Sequence, residues 1–137
     1  MKDLATAIFS KATGSAFLTA IGGRLYKKRA PQDLTWPYAV FFVVDDTPLR
    51  TFKDTLEEVL VQFSLFSQTS SSTEIEDLFS LLKACYDNSE LTIAGNTFIM
   101  MNRQNATPAD SVPADTEEGT GEFWQTDVDY LVTMQKV

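Results

Sequence analysis

The chain has 137 residues, is 44% hydrophobic, carries a formal net charge of −8, and contains no histidine and one cysteine. That length suits one domain with a single core; no apolar run nears the ~20 residues of a membrane-spanning helix, and the opening MKDLATAIFSKATG lacks the apolar core of a signal peptide. An acidic surface argues against a general nucleic-acid clamp, because affinity for phosphate comes from Lys and Arg; the absence of histidine excludes the usual triads, and with only one cysteine it excludes the common zinc sites as well.

Lys2 to Ile21 reads as mostly helical, with Leu4, Ile8 and Ala12 on one face. Thr13-Gly14-Ser15 interrupts it, so one kinked helix or two short ones are both open, and Gly22-Gly23 supplies a stop. Arg24–Pro37 is a basic connection in which Pro31 and Pro37 disfavour helix in the residue before them. Tyr38–Val44 is a strand, apolar on both faces and so expected at the centre of a sheet or covered on both sides. Asp45-Asp46-Thr47-Pro48 is expected to break it, and the chain from there to Thr55 to form the polar arm of a long hairpin.

The stretch Leu56–Asp87 organises the rest. Val59, Val61, Phe63 and Leu65 alternate with Leu60, Gln62, Ser64 and Phe66, the pattern of a strand with one face on a core. The second face is only half polar, so partial cover is expected there too. After a Ser/Thr-rich hinge at Gln68–Thr73, the residues Ile75, Leu78, Phe79, Leu82 and Cys85 form the apolar stripe of a helix. Ser71 and Glu74 read as its capping box, and Asp87-Asn88-Ser89 as its end. Cys85 on that stripe is expected to be a small core hydrophobe, unable to form an internal disulfide and suited to a reducing cytoplasm.

Leu91–Asn102 predicts a short strand, a turn at Gly95-Asn96, and a strand over Thr97–Asn102. Residues 103–121, with Pro108, Pro113, Gly119, Gly121 and several acids, predict a flexible acidic loop. In Phe123–Gln135 the residues Trp124, Thr126, Val128, Tyr130, Val132 and Met134 share one face, and polar residues take the other except for Leu131. No internal repeat is visible. The expected fold is one α+β domain over 1–137 in the order α-β-β-α-β-β. It would hold an antiparallel sheet of about four strands, two helices on one face, and a long hairpin arm.

Chemistry is sparse. No phosphate-binding glycine loop is present, since Gly22-Gly23 is followed by Arg-Leu-Tyr. Asp127 and Asp129 share a strand face at ~6.5–7 Å by strand rise, a spacing some glycosidases use, but this is the polar face where acids are expected. No catalytic, metal or cofactor site is expected. Charge is uneven: Arg24, Lys27, Lys28 and Arg29 cluster, whereas acids crowd the C-terminal third. Such polarity suits head-to-tail contact between copies, and two solvated patches explain it equally well.

The segments Gly23-Arg-Leu-Tyr26, Arg29-Ala-Pro31, Trp36-Pro-Tyr-Ala-Val-Phe-Phe42 and Val61-Gln-Phe-Ser-Leu-Phe66 resemble, in order and spacing, the phage tail completion or tail terminator proteins. The resemblance covers nearly the whole chain and departs at the acidic insertion 103–121. It implies a structural virion protein that caps the head-proximal end of a tail tube as a ring, commonly of six subunits, stopping tube growth and presenting a surface to the head. The implied partners are other copies of the chain, the tail tube protein and a head connector or head-closure protein; no membrane is involved. Assembly would take place in the host cytoplasm, from a phage or a prophage. Arg24, Lys27, Lys28, Arg29, Arg50, Phe52 and Lys53 are the expected contacts to a neighbour or the tube. Asp127 and Asp129 would face a neighbour or an acidic lumen through which DNA slides without specific binding. The alternatives are another head-tail connector or tube-like component, and a small cytoplasmic ligand-binding protein or carboxylate enzyme.

Overall fold

The computed structural model of the protein describes residues 2–29, 35–50, 55–68, 73–87, 89–107, 110–113 and 122–136. Its first helical stretch divides in two. Helix α1 (Lys2–Ala12) sends Leu4, Ala5, Ala7, Ile8 and Ala12 into the core. Gly14 follows at φ 81°, where an L side chain would be strained. Helix α2 (Ala16–Ala20) then starts afresh on Ser15, whose Oγ accepts from the Leu18 N–H at 3.2 Å. At Gly22, φ 60°, the chain closes α2: the Gly22 N–H donates to Thr19 O and the Gly23 N–H to Leu18 O. These two hydrogen bonds make a Schellman motif, at the glycine pair where a helix stop is expected.

Six strands and one more helix follow: β1 (Leu25–Lys27), β2 (Tyr38–Arg50), β3 (Thr55–Ser67), α3 (Thr73–Tyr86), β4 (Asn96–Ala106), β5 (Asp110–Pro113) and β6 (Glu122–Lys136). The sheet runs β1-β2-β3-β6-β4, with β5 also on β6. Gln125 and Trp124 pair with β3 on one side and β5 on the other, so β5 continues β4 along the same side of β6. The α+β class is as expected, but the count and order are not. Among the described residues there are three helices rather than two, because the N-terminal stretch takes the two-helix option, and the sheet is mixed because β1 pairs with β2 in parallel. Three residues are too few to show alternation, and their partner lies beyond the proline-rich connection, so local pattern carried no signal for β1.

Three other expectations are corrected. Asp45-Asp46-Thr47-Pro48 does not break β2. The register shifts at Val44, a bulge, and pairing resumes from Asp45↔Leu60 to Arg50↔Thr55. Pro48 is tolerated because, among the described residues, this half of β2 has no partner on its outer side and needs no N–H there. The long hairpin therefore forms, but β6 runs beside β3 as far as Leu56, so most of it belongs to the sheet. Next, no strand forms over 91–94; Leu91 and Ile93 drop into the core from an irregular segment, and their alternation reflects burial without pairing. Last, β4 continues past Asn102 to Ala106 and β5 occupies part of the expected loop. The Ser71 capping box, Asn88 and residues 114–121 lie outside the described residues.

All three helices pack on one face of the sheet. That face presents Ala39 and Phe41 of β2, Val59, Val61, Phe63 and Leu65 of β3, and Val128, Tyr130, Val132 and Met134 of β6. The parity read from β3 and β6 is thus the observed one. Phe63 sits at the centre, with ring centroids 4.8 Å from Tyr86, 5.7 Å from Tyr130 and 5.8 Å from Phe41. The hydroxyls of the two tyrosines packed on Phe63 both have partners: Tyr86 donates to Ile8 O at 2.8 Å, tying α3 to α1, and Tyr130 donates to Asp87 Oδ1 at 2.6 Å. Burial raises the pKa of both hydroxyls. Cys85 is only half-buried; Tyr86, one residue on, takes the last place on the buried stripe.

Candidate assembly surfaces

The opposite face of the sheet carries no helix among the described residues, and the acidic pair lies there. The alternation of β6 that buries Val128 and Tyr130 necessarily turns Asp127 and Asp129 the other way. Asp127 stands across from Ser64, and Asp129 across from Gln62 on one side and Asn105 on the other. Asp127 Oδ1 accepts from Ser64 Oγ at 2.7 Å and from Gln125 Nε2 at 3.1 Å. Asp129 is less well served: its Oδ1 is buried with no donor among the described residues. Burial, and secondarily the negative charge of Asp127, raises its pKa above the ordinary carboxylate range. The two acids are therefore brought together but are unequal.

Beside them the half-polar face of β3 finds partial cover at its Phe66 end, as expected, from the rings of Tyr38, Phe123 and Trp36. Tyr38 stacks on Phe66 at 4.8 Å; Trp36 packs on Tyr38 at 5.0 Å and on Phe123 at 5.7 Å. Sequence reading missed this aromatic cluster as a unit. Its only local signal was Phe66 at the end of a half-polar register, and the other rings arrive from β2, β6 and the connection before β2.

The basic cluster is divided. The Arg24 guanidinium is engaged within the chain, with Nε donating to Pro37 O at 2.9 Å and an Nη to Trp36 O at 3.3 Å. Lys27, Lys28 and Arg29 are exposed at the end of β1. There the Arg29 N–H donates to Lys27 O across Lys28, whose φ is 70°, a γ-turn in a region where non-glycine residues are uncommon. Lys27 and Lys28 border an open groove of about 530 Å³ whose apolar wall is Leu4, Ile8, Phe41 and Val43. Lys27 pairs with Phe41, which fixes it on the helix side of the sheet. The basic and acidic patches thus lie on opposite faces and three strands apart, roughly 14 Å by strand spacing. They do not meet within one chain. Arg50 lies at the end of β2; Phe52 and Lys53 lie outside the described residues.

The described residues contain no group of His, Cys, Asp and Glu able to hold a metal ion, and no helix long and apolar enough to cross a membrane. What the molecule offers is surface: an acidic open sheet face, a basic corner beside a groove, and two sheet edges. Against solved structures, the fold matches a chain in the virion of a native gene transfer agent particle. The TM-score is 0.77 at 9% identity, with 95% of this chain and 92% of that one covered. A second solved structure matches at TM-score 0.53 and 12% identity, with 96% and 94% covered. At such identities the likeness is one of fold. No curated protein matches the chain in sequence. The family model for tail completion protein gp17 matches residues 6–130, from α1 to most of β6, and the chain belongs to that family of phage tail structural proteins.

Proposed function

We propose that this chain caps the head-proximal end of a phage tail tube as one subunit of a closed ring, commonly of six copies, halting tube growth and forming the surface that joins the head. The match to the tail completion family over residues 6–130 carries the reading, and the virion origin of a fold neighbour supports it. A ring requires two different surfaces per subunit that meet head to tail. The separation of Lys27, Lys28 and Arg29 from Asp127 and Asp129 fits contact between copies, because the patches are too far apart to satisfy each other within one. The open acidic face would equally suit a lumen, where carboxylates repel passing DNA and keep it from sticking. The tube protein and a head connector are the proposed further partners. A structural role also fits Asp127, whose Oδ1 is already engaged by Ser64 and Gln125.

Electron microscopy of particles made after disruption of this gene in its parent phage or prophage tests the reading. Overlong tubes beside unattached, DNA-filled heads are expected. Tails of normal length joined to heads would refute it; full heads beside free tails of normal length would favour a connector that joins without terminating.

A further inference from the structure

Within the ring reading, the two edges of the sheet are the surfaces most in need of explanation. Over one half of the sheet the rows run from β2 to β4 without interruption: Asp45, Leu60, Leu131 and Asn102 form one row, and Asp46, Val59, Val132 and Met101 the next. Along these rows both outer strands are unpaired on their outer sides among the described residues. Val44 is 48% exposed on one edge, and Ile99 and Met100 are 43% and 45% exposed on the other; among the described residues these are three of the four large hydrophobics left exposed. Val44 and Ile99 are both bulge residues, sitting at the register shifts Val43/Asp45 and Phe98/Met100. A bulge re-aims a side chain and blunts simple edge pairing. Two of them, each presenting an aliphatic group on a free edge, are hard to explain as solvent-facing decoration.

We infer that the β2 edge around Val44 of one copy packs against the β4 edge around Ile99 and Met100 of the next, forming the head-to-tail contact between subunits. Three observations favour a second copy as the occupant. The strands alternate in direction from β2 through β3 and β6 to β4. A copy placed beside the first in the same orientation therefore sets β2 antiparallel to β4, which continues the sheet's own alternation. The charges are also compatible: exposed Asp45 and Asp46 lie on the β2 edge, and Arg103, which pairs with Asp87 at 3.4 Å within the chain but stays 36% exposed, lies on β4 one position beyond the row of Asp45. Finally, the two edges are different surfaces of one chain, so their contact is heterologous and can close by rotation.

The test places a photo-reactive amino acid at Ile99 in one full-length variant and at Val44 in another. Each is irradiated in tails assembled by the parent phage and as concentrated purified protein. Covalent multimers are expected, with Ile99 joined to residues 44–47 of another copy and Val44 to residues 99–103. Cross-links confined to the helix side or to a different protein, or no multimers from tails that contain the chain, would overturn the edge contact while leaving the capping reading intact. Edge-to-edge multimers in a protein absent from the tube end would do the reverse. As an independent check, Val44→Asp and Ile99→Asp should each abolish multimers with unchanged melting, yet form a one-to-one pair when mixed, because each retains the edge the other lacks. Mixed variants that stay monomeric where the unaltered chain multimerises would overturn the inference.

Discussion

Asp129→Asn should make the isolated protein more stable at neutral pH. The native carboxylate sits with one oxygen buried and without a donor among the described residues, and its pKa is raised by burial and then by Asp127. A raised acid pKa means that the folded state holds its proton more tightly than the unfolded chain. Stability therefore falls as pH rises from the unfolded value through the folded one, and stays at the lower level above it. The two carboxyls are ~6.5–7 Å apart, where unit charges repel by about 0.6 kcal/mol at the dielectric of water and about 2.4 kcal/mol at an effective dielectric of 20. Asp129 is partly exposed, so screening places the gain near the lower end, about 1 kcal/mol, or roughly 3 °C in melting temperature for a chain of this size. Urea unfolding of both proteins at pH 7 and at low pH measures it. The gap should be largest at pH 7 and shrink on acidification, as the native acid becomes protonated. A variant less stable than the native protein at pH 7, or a gap independent of pH, would refute the reasoning. A carboxylate kept where it costs stability is what a surface under selection for assembly would show.

Phe63→Ala removes the ring at the centre of the core and should cost about 3–5 kcal/mol, seen as a large drop in urea midpoint with little change in slope. Tyr86→Phe leaves the ring in place and removes one buried hydrogen bond to Ile8 O, so about 1 kcal/mol is expected in the same assay. Replacing Lys27, Lys28 and Arg29 with Glu should leave melting within about 0.5 kcal/mol, since these side chains are exposed, but should prevent incorporation into tails; normal incorporation would remove the basic corner from the contact.

Local pattern alone determined a good part of this molecule. Period-two alternation decided which residues of β3 and β6 meet the helices, because a strand has only two faces and one had to be buried. The same parity set Asp127 and Asp129 on the open face. The spacing of Ile75, Leu78 and Leu82 determined which side of α3 packs, and the glycine pair after α2 determined where it stops. The tertiary structure decided what long-range pairing controls. β1 exists because β2 lies beside it, and β2 survives Asp45-Asp46-Thr47-Pro48 because β3 supplies partners that outweigh local turn preference. Asp127 and Asp129 are chemically identical in sequence; they differ because Ser64 and Gln125 reach one and leave an oxygen of the other buried without a donor. The exposure of Val44 and Ile99 follows from bulges on two strands that become edges only once the sheet order is set. A sequence gives each residue its chemistry and its parity; which strand ends up beside which, and which edge is left unpaired, is a property of the assembled sheet.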